Sequence, residues 1–215
     1  MSDRIISGVW EYEKRGKRKA CITGYNGGDT NVIVPETIDE IVIEAIGNFA
    51  FKDKEITSIT LPDTLTTIGE SAFEGCKNLS QVKTTYNQSH HPRYIYPNAF
   101  KHCYKLVAPN GFLIVNDYLL EYFVDEVNLA VPEGVISIAE GTFSNKNNLV
   151  SVILPDSLKA IGMNAFINCP NLSMVKTKNE FVGIGGISFT NCPKLFDKDG
   201  YFTFGNSHIV STDEV

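Results

Sequence analysis

The chain has 215 residues, 43% hydrophobic, 11% aromatic and 20% charged. That composition excludes a disordered, collagen-like or coiled-coil chain and fits one large domain or two small ones. Nineteen Lys and Arg against 25 Asp and Glu leave a net charge of −6, which argues against a general nucleic-acid binder. No apolar run approaches the ~18 residues of a membrane-spanning helix.

The first ten residues carry Asp3 and Arg4 and lack an apolar h-region, so no signal peptide is expected there. If Met1 is the natural start, a cytoplasmic location follows. The first predicted element is a hairpin: Val9-Trp10-Glu11-Tyr12, a turn near Gly16, then Ala20-Cys21-Ile22. Its tip holds Lys14, Arg15, Lys17, Arg18 and Lys19, five of the nineteen basic residues. Such a cluster suits an anionic surface or partner, or a solvated turn that discourages edge pairing.

Predicted strands follow at Val32-Ile33-Val34-Pro35, Ile59-Thr60-Leu61-Pro62, Leu129-Ala130-Val131-Pro132 and Val152-Ile153-Leu154-Pro155. Val82-Lys83-Thr84 and Val175-Lys176-Thr177 are versions without Pro. Apolar, variable, apolar is strand periodicity, and Pro stops each strand by removing a donor. Between the strands an Ala/Ser/Thr-Phe pair recurs, with Phe51, Phe73, Phe100, Phe143, Phe166 and Phe189. Ile-Gly precedes four of these, at Gly47, Gly69, Gly162 and Gly185. Cys follows three residues after four of them, at Cys76, Cys103, Cys169 and Cys192, and Lys54 and Lys146 take that place in the other two. Leu79, Leu106, Leu149, Leu172 and Leu195 come six residues after their Phe.

A unit of this size cannot bury its Phe, Leu and Val alone, but stacked units share one continuous core. The pattern therefore predicts a solenoid of short strands and brief helical turns, interrupted by hairpins. Those hairpins lie at Asn110-Gly111 through Tyr122, turning at Asn116-Asp117, and at Asp199-Gly200 to Val210, turning at Gly205-Asn206. The domain reading is one repeat domain over 1–215. It comprises an N-terminal hairpin cap (1–29), repeat units at 30–109 and 110–199, and the start of a third unit or a C-terminal cap at 200–215.

The string Ile68-Gly69-Glu70-Ser71-Ala72-Phe73-Glu74-Gly75-Cys76-Lys77-Asn78-Leu79, with Leu61-Pro62 before it, resembles the BspA-type leucine-rich repeat of bacterial surface proteins. Asn164-Ala165-Phe166-Ile167-Asn168-Cys169-Pro170-Asn171-Leu172 fits equally well. The resemblance covers roughly residues 20 to 200. It implies a leucine-rich-repeat solenoid with a strand-lined concave face, and binding rather than catalysis. Adhesion or protein recognition at a cell surface is the leading form. An intracellular scaffold subunit and a carbohydrate-binding accessory domain are the alternatives.

Strand alternation turns the residues between the apolar partners outward. The expected protein-binding row is Asn31 and Ile33, Ser58 and Thr60, Gln81 and Lys83, Asn128 and Ala130, Ser151 and Ile153, Met174 and Lys176. Tyr86, Tyr94, Tyr96 and Tyr104 form the alternative aromatic surface, unless they merely cover core. The partner expected is another protein, with a glycan as the second class and no nucleic acid.

No chemistry-bearing motif stands out. There is no C-x-x-C, and His90, His91 and His102 read as loop histidines, so no metal is expected. The repeat-position cysteines of neighbouring coils fall near disulfide range, but a free Cys packs well as a small hydrophobe. The expectation is that thiol titration of the unfolded, unreduced protein counts five free thiols; a count of one or three contradicts it. Gly183, Gly185 and Gly186 lack the Lys-Ser/Thr of a phosphate loop. No Gly-x-Ser-x-Gly or paired acid and base occurs, so no catalytic residue, cofactor or enzymatic activity is expected.

Overall fold

Every complete repeat carries two short strands where the pattern shows one. In the computed structural model, residues 4–85, 94–96, 98–178 and 182–198 are described in full, and 201–204 and 208–211 by their backbone. The chain divides into two compact units, Met1–Val107 and Ala108–Val215.

The first unit contains β1 (Arg4–Ser7), β2 (Trp10–Lys14), β3 (Lys19–Tyr25), β4 (Asn31–Ile33), β5 (Thr37–Ile38), β6 (Ile41–Ile46), β7 (Ser58–Leu61), β8 (Thr67–Ile68), β9 (Gln81–Thr84) and β10 (Tyr94–Ile95). The Pro-terminated triplets stack in register as the parallel sheet β4-β7-β9. A second sheet runs β1-β2-β3-β6-β8-β10. It opens with the antiparallel β1-β2-β3 meander and continues parallel through β6, β8 and β10. A hairpin not predicted from sequence joins β5 to β6. Asp39 and Glu40 turn it, both with positive φ (48° and 64°), as a tight two-residue loop requires.

The second unit contains β11 (Phe112–Val115), β12 (Tyr118–Tyr122), β13 (Asn128–Ala130), β14 (Ser137–Ile138), β15 (Ser151–Ile153), β16 (Ala160–Ile161), β17 (Met174–Lys176), β18 (Gly183–Ile184), β19 (Tyr201–Phe204) and β20 (His208–Ser211). Its triplets form the parallel sheet β13-β15-β17, and β11-β12-β14-β16-β18 form the other. The β11–β12 hairpin turns at Asn116-Asp117, both with positive φ (47° and 61°), as the dipeptide predicts. β19 and β20 pair antiparallel, and the turn expected between them lies outside the described residues.

In four repeats the second strand is a residue pair, Thr67-Ile68, Ser137-Ile138, Ala160-Ile161 and Gly183-Ile184, with Gly next in all but the second, where Ala139 follows. Two residues are too few to show a period, which is why the sequence reveals only Ile-Gly there. The turns around Ala-Phe also differ from the helical turns expected. Their backbone alternates in handedness, with positive φ two residues before Phe (Phe49, Ser71, Asn98, Gly141, Asn164, Ile187) and two after (Asp53, Gly75, His102, Asn145, Asn168, Asn191). Alternate N–H groups consequently point along the stack. Ala72, Glu74 and Cys76 bond within their own turn, whereas Phe73 N–H donates to Ala99 O (2.7 Å) and Gly75 N–H to Lys101 O (2.9 Å) in the next coil. A helix would direct all these donors along its own axis and leave the coils unjoined.

Ile187 is the misfit in this pattern. A β-branched residue rarely tolerates φ near +55°, and the matching places hold Phe, Ser, Asn or Gly, none of them β-branched. It is also 45% exposed, so little burial offsets the strain. We expect Ile187→Asn to stabilise the chain by about 1 kcal/mol, read as a higher melting temperature; a lower one contradicts the strain argument.

An aromatic stack runs through each unit. In the first, Tyr25, Phe51, Phe73 and Phe100 follow one another with centroids 5.5, 5.0 and 4.9 Å apart. In the second, Phe112, Tyr122, Phe143, Phe166 and Phe189 do the same at 4.7 to 5.6 Å. One ring per coil, with coils one strand spacing apart, forces that interval. The hairpins contribute Tyr25 and Tyr122 as the rings that meet the first repeat Phe.

Burial pushes the Tyr122 phenol up to about 12 from its ordinary 10.0, helped by the carboxylates of Glu126 and Asp125. Above pH 10.0 the unfolded chain releases this proton while the folded chain keeps it. The folded state then binds more protons, so its stability falls as pH rises. We expect Tyr122→Phe to gain on the parent between pH 10 and about 12 in melting experiments, with no relative change below that window.

All five cysteines are buried and free. Each repeat thiol donates to the Phe carbonyl of the preceding coil: Cys76 to Phe51 O (3.0 Å), Cys103 to Phe73 O (3.1 Å), Cys169 to Phe143 O (3.1 Å) and Cys192 to Phe166 O (3.0 Å). The coils of Phe51 and Phe143 follow hairpins and have no such Phe behind them. Lys146 fits that place: its Nζ donates to Val124 O (3.1 Å) and lies 5.2 Å from the Tyr122 ring centroid.

Candidate functional site

The outward rows of the two triplet sheets carry the expected binding residues. In the first unit Asn31, Ser58 and Gln81 are in register, as are Ile33, Thr60 and Lys83. In the second, Asn128, Ser151 and Met174 align, as do Ala130, Ile153 and Lys176. The alternation is as expected. Val32, Val34, Ile59, Leu61, Val152 and Leu154 are buried, while Ile33 is 70% and Ile153 53% exposed.

Two details differ from the sequence reading. The row is not one continuous column, because the described strands divide it into two three-stranded sheets, one per unit. Ser151 is also buried, at 7% exposure. Its Oγ donates to Asn128 Oδ1 (2.7 Å), and Asn128 and Met174 flank it in register. The first unit repeats the arrangement, with Ser58 Oγ donating to Asn31 Oδ1 (2.8 Å). Asn-Ser pairs thus clamp the start of both rows and fix the strands that display Ile33 and Ile153.

On the alternative aromatic surface, Tyr94, Tyr96 and Tyr104 are exposed by 67%, 52% and 58%, so these rings do not cover core. Tyr86, and with it His90 and His91, lies outside the described residues. His102 is exposed and sits 5.8 Å from the Tyr104 ring. Among the described residues no group of three or more His, Cys, Asp or Glu is placed to hold a metal. Gly183 belongs to β18 and Gly185 abuts Gly162 of the preceding coil, which makes them rungs of the stack. No described helix is long and apolar enough to cross a membrane.

The sequence reading missed an asparagine ladder on the turn side of the second unit. Asn168 Nδ2 donates to Asn145 Oδ1 and Asn191 Nδ2 to Asn168 Oδ1, both at 3.0 Å. Its signal was available two residues after each Phe, where Asp, Gly, His or Asn always stands. Most of these types tolerate a left-handed backbone.

One parallel triplet sheet and one mixed sheet per unit, one Phe turn per coil, and hairpins that begin each stack define a leucine-rich-repeat solenoid. The chain belongs to the BspA type leucine-rich repeat family, whose repeat region matches in six copies over residues 44–110 and 113–199. Among solved structures it is similar to a leucine-rich cell surface protein from Faecalibacterium prausnitzii A2-165. That match has 24% identity, covers 98% of this chain and 59% of that one, and gives a TM-score of 0.57. This chain therefore spans less than two thirds of that protein's length. It is also similar to the T. pallidum leucine-rich repeat protein, at 25% identity over 91% of this chain and 92% of that one, with a TM-score of 0.51. A comparison with curated proteins gives no match.

Proposed function

We propose that the chain is a non-enzymatic protein-recognition module whose contact surfaces are the outward rows of β4-β7-β9 and β13-β15-β17. One observation carries this reading: Ile33 and Ile153 stand exposed on strands held in register and clamped by Asn-Ser pairs. Apolar side chains presented on a rigid polar sheet are the kind of surface that association buries. Recognition or adhesion at a cell surface is the form supported by the family and by likeness to a protein named for that location. The test is capture from surface fractions of the source and of any host. The parent is compared with Ile33→Glu/Gln81→Glu/Ile153→Glu/Met174→Glu, which spares buried Ser151 and is checked for folding by circular dichroism. A protein held by the parent and lost by the variant supports the reading, and equal retention by both refutes it.

The three exposed tyrosines favour a second reading, as a carbohydrate-contacting surface, since aromatic faces with polar tips suit such contacts. Calorimetry over a neutral glycan panel with the parent and Tyr94→Ala/Tyr96→Ala decides it.

A further inference from the structure

We propose that the tip of the β2–β3 hairpin is a docking site for a linear polyanion of the sulfated-polysaccharide class. The charge is concentrated there against the character of the chain. Lys14, Arg15, Lys17, Arg18 and Lys19 lie within six residues of a chain whose net charge is −6; without them it is −6 − 5 = −11.

The tip is preorganised. Arg15 N–H donates to Lys19 O (2.7 Å), and the carbonyl of Arg18 accepts from Val42 N–H (3.0 Å) at the start of β6. Gly16, with φ of 84°, makes the turn between them. Lys19 alone of the five is committed elsewhere, to Glu44 at 2.6 Å. Lys14, Arg15, Lys17 and Arg18 are all exposed, and none forms an ion pair among the described residues.

Edge protection does not account for these charges. Cations on strands serve to block pairing at an open edge, yet the order β1-β2-β3-β6 leaves neither β2 nor β3 at one. What remains is four unpaired cations on a rigid loop, two of them Arg. Arg presents a fixed fork of donors to oxyanions, and Lys adds point charges. The tip carries no aromatic residue on which bases could stack. Tyr12 is buried with its hydroxyl on Asp39 (2.9 Å), and Trp10 packs on Tyr25 (5.1 Å). Single-stranded nucleic acid normally needs such a stacking platform, so the tip fits a polyanion bound through its charges.

The experiment titrates the full chain with heparin as probe, by calorimetry, at two salt concentrations. We expect saturable binding that weakens as salt rises. Lys14→Gln/Arg15→Gln/Lys17→Gln/Arg18→Gln should weaken it by about tenfold or more. Lys83→Gln/Lys176→Gln and Tyr94→Ala/Tyr96→Ala should leave it unchanged, which separates this site from the surfaces of the proposed function. Dextran sulfate should compete and uncharged dextran should not. Absence of binding, equal binding by the quadruple variant, loss in either control, or equal affinity for a single-stranded oligonucleotide overturns the proposal.

Discussion

Phe73→Ala is expected to cost about 3–5 kcal/mol, enough to remove a large part of the stability of an ordinary domain. The ring is fully buried and lies 5.0 Å from Phe51 and 4.9 Å from Phe100, nearly parallel to both. Its removal leaves a cavity between two rings that cannot close on each other. The backbone bonds from Phe73 N–H to Ala99 O and from Phe51 N–H to Ala72 O hold their coils apart. In a stacked array each coil is supported chiefly by its neighbours, so the damage reaches both. Phe73→Leu keeps apolar volume and should recover part of the loss. Urea unfolding followed by circular dichroism measures all three chains. A loss under about 1 kcal/mol for Phe73→Ala would show that the stack is incidental to stability.

Gly162→Ala is the second large effect expected, a loss of about 2–3 kcal/mol from overpacking. The backbone conformation is ordinary at this position; the reason for glycine is space. A Cβ there would lie 2.6 Å from Glu140 N, 2.8 Å from Ala139 C and 3.0 Å from Ile138 O, all backbone of the preceding coil. Gly162 N–H also donates to Ile138 O at 2.8 Å, so the chain cannot move away without breaking a rung. Gly185 meets Met163 N at 2.8 Å and Gly69 meets Asn48 N at 2.8 Å in the same manner. Gly183→Ala is the control, since its nearest neighbour would be 3.6 Å away, and it should change stability by less than about 0.5 kcal/mol. Equal effects of the two substitutions would refute the close-approach argument.

Sequence and structure agree most closely where a residue type repeats for a packing reason. Phe, Leu and the apolar triplets recur because each coil must meet the next with the same side chain at the same place. The Asn116-Asp117 turn was legible because that dipeptide tolerates positive φ. The Asp39-Glu40 turn was not, because Glu carries no such signal. The exposed faces of Ile33 and Ile153 followed from alternation. The burial of Ser151 did not, because it depends on Asn128 and Met174, 23 residues away on either side.

The sequence by itself determined the repeat, the family, the inward and outward faces of the triplets and the hairpins that start each stack. These rest on local periodicity and on residue types that recur at fixed spacing. Only the tertiary structure decided that each coil has a second strand and that its Phe turn is an alternating ribbon. It also showed that the outward row of the triplets falls into two sheets and that four cations of the β2–β3 tip form no ion pair among the described residues. Each of those depends on which backbone or charged group lies in the neighbouring coil or strand, and the spacing along the chain does not record that.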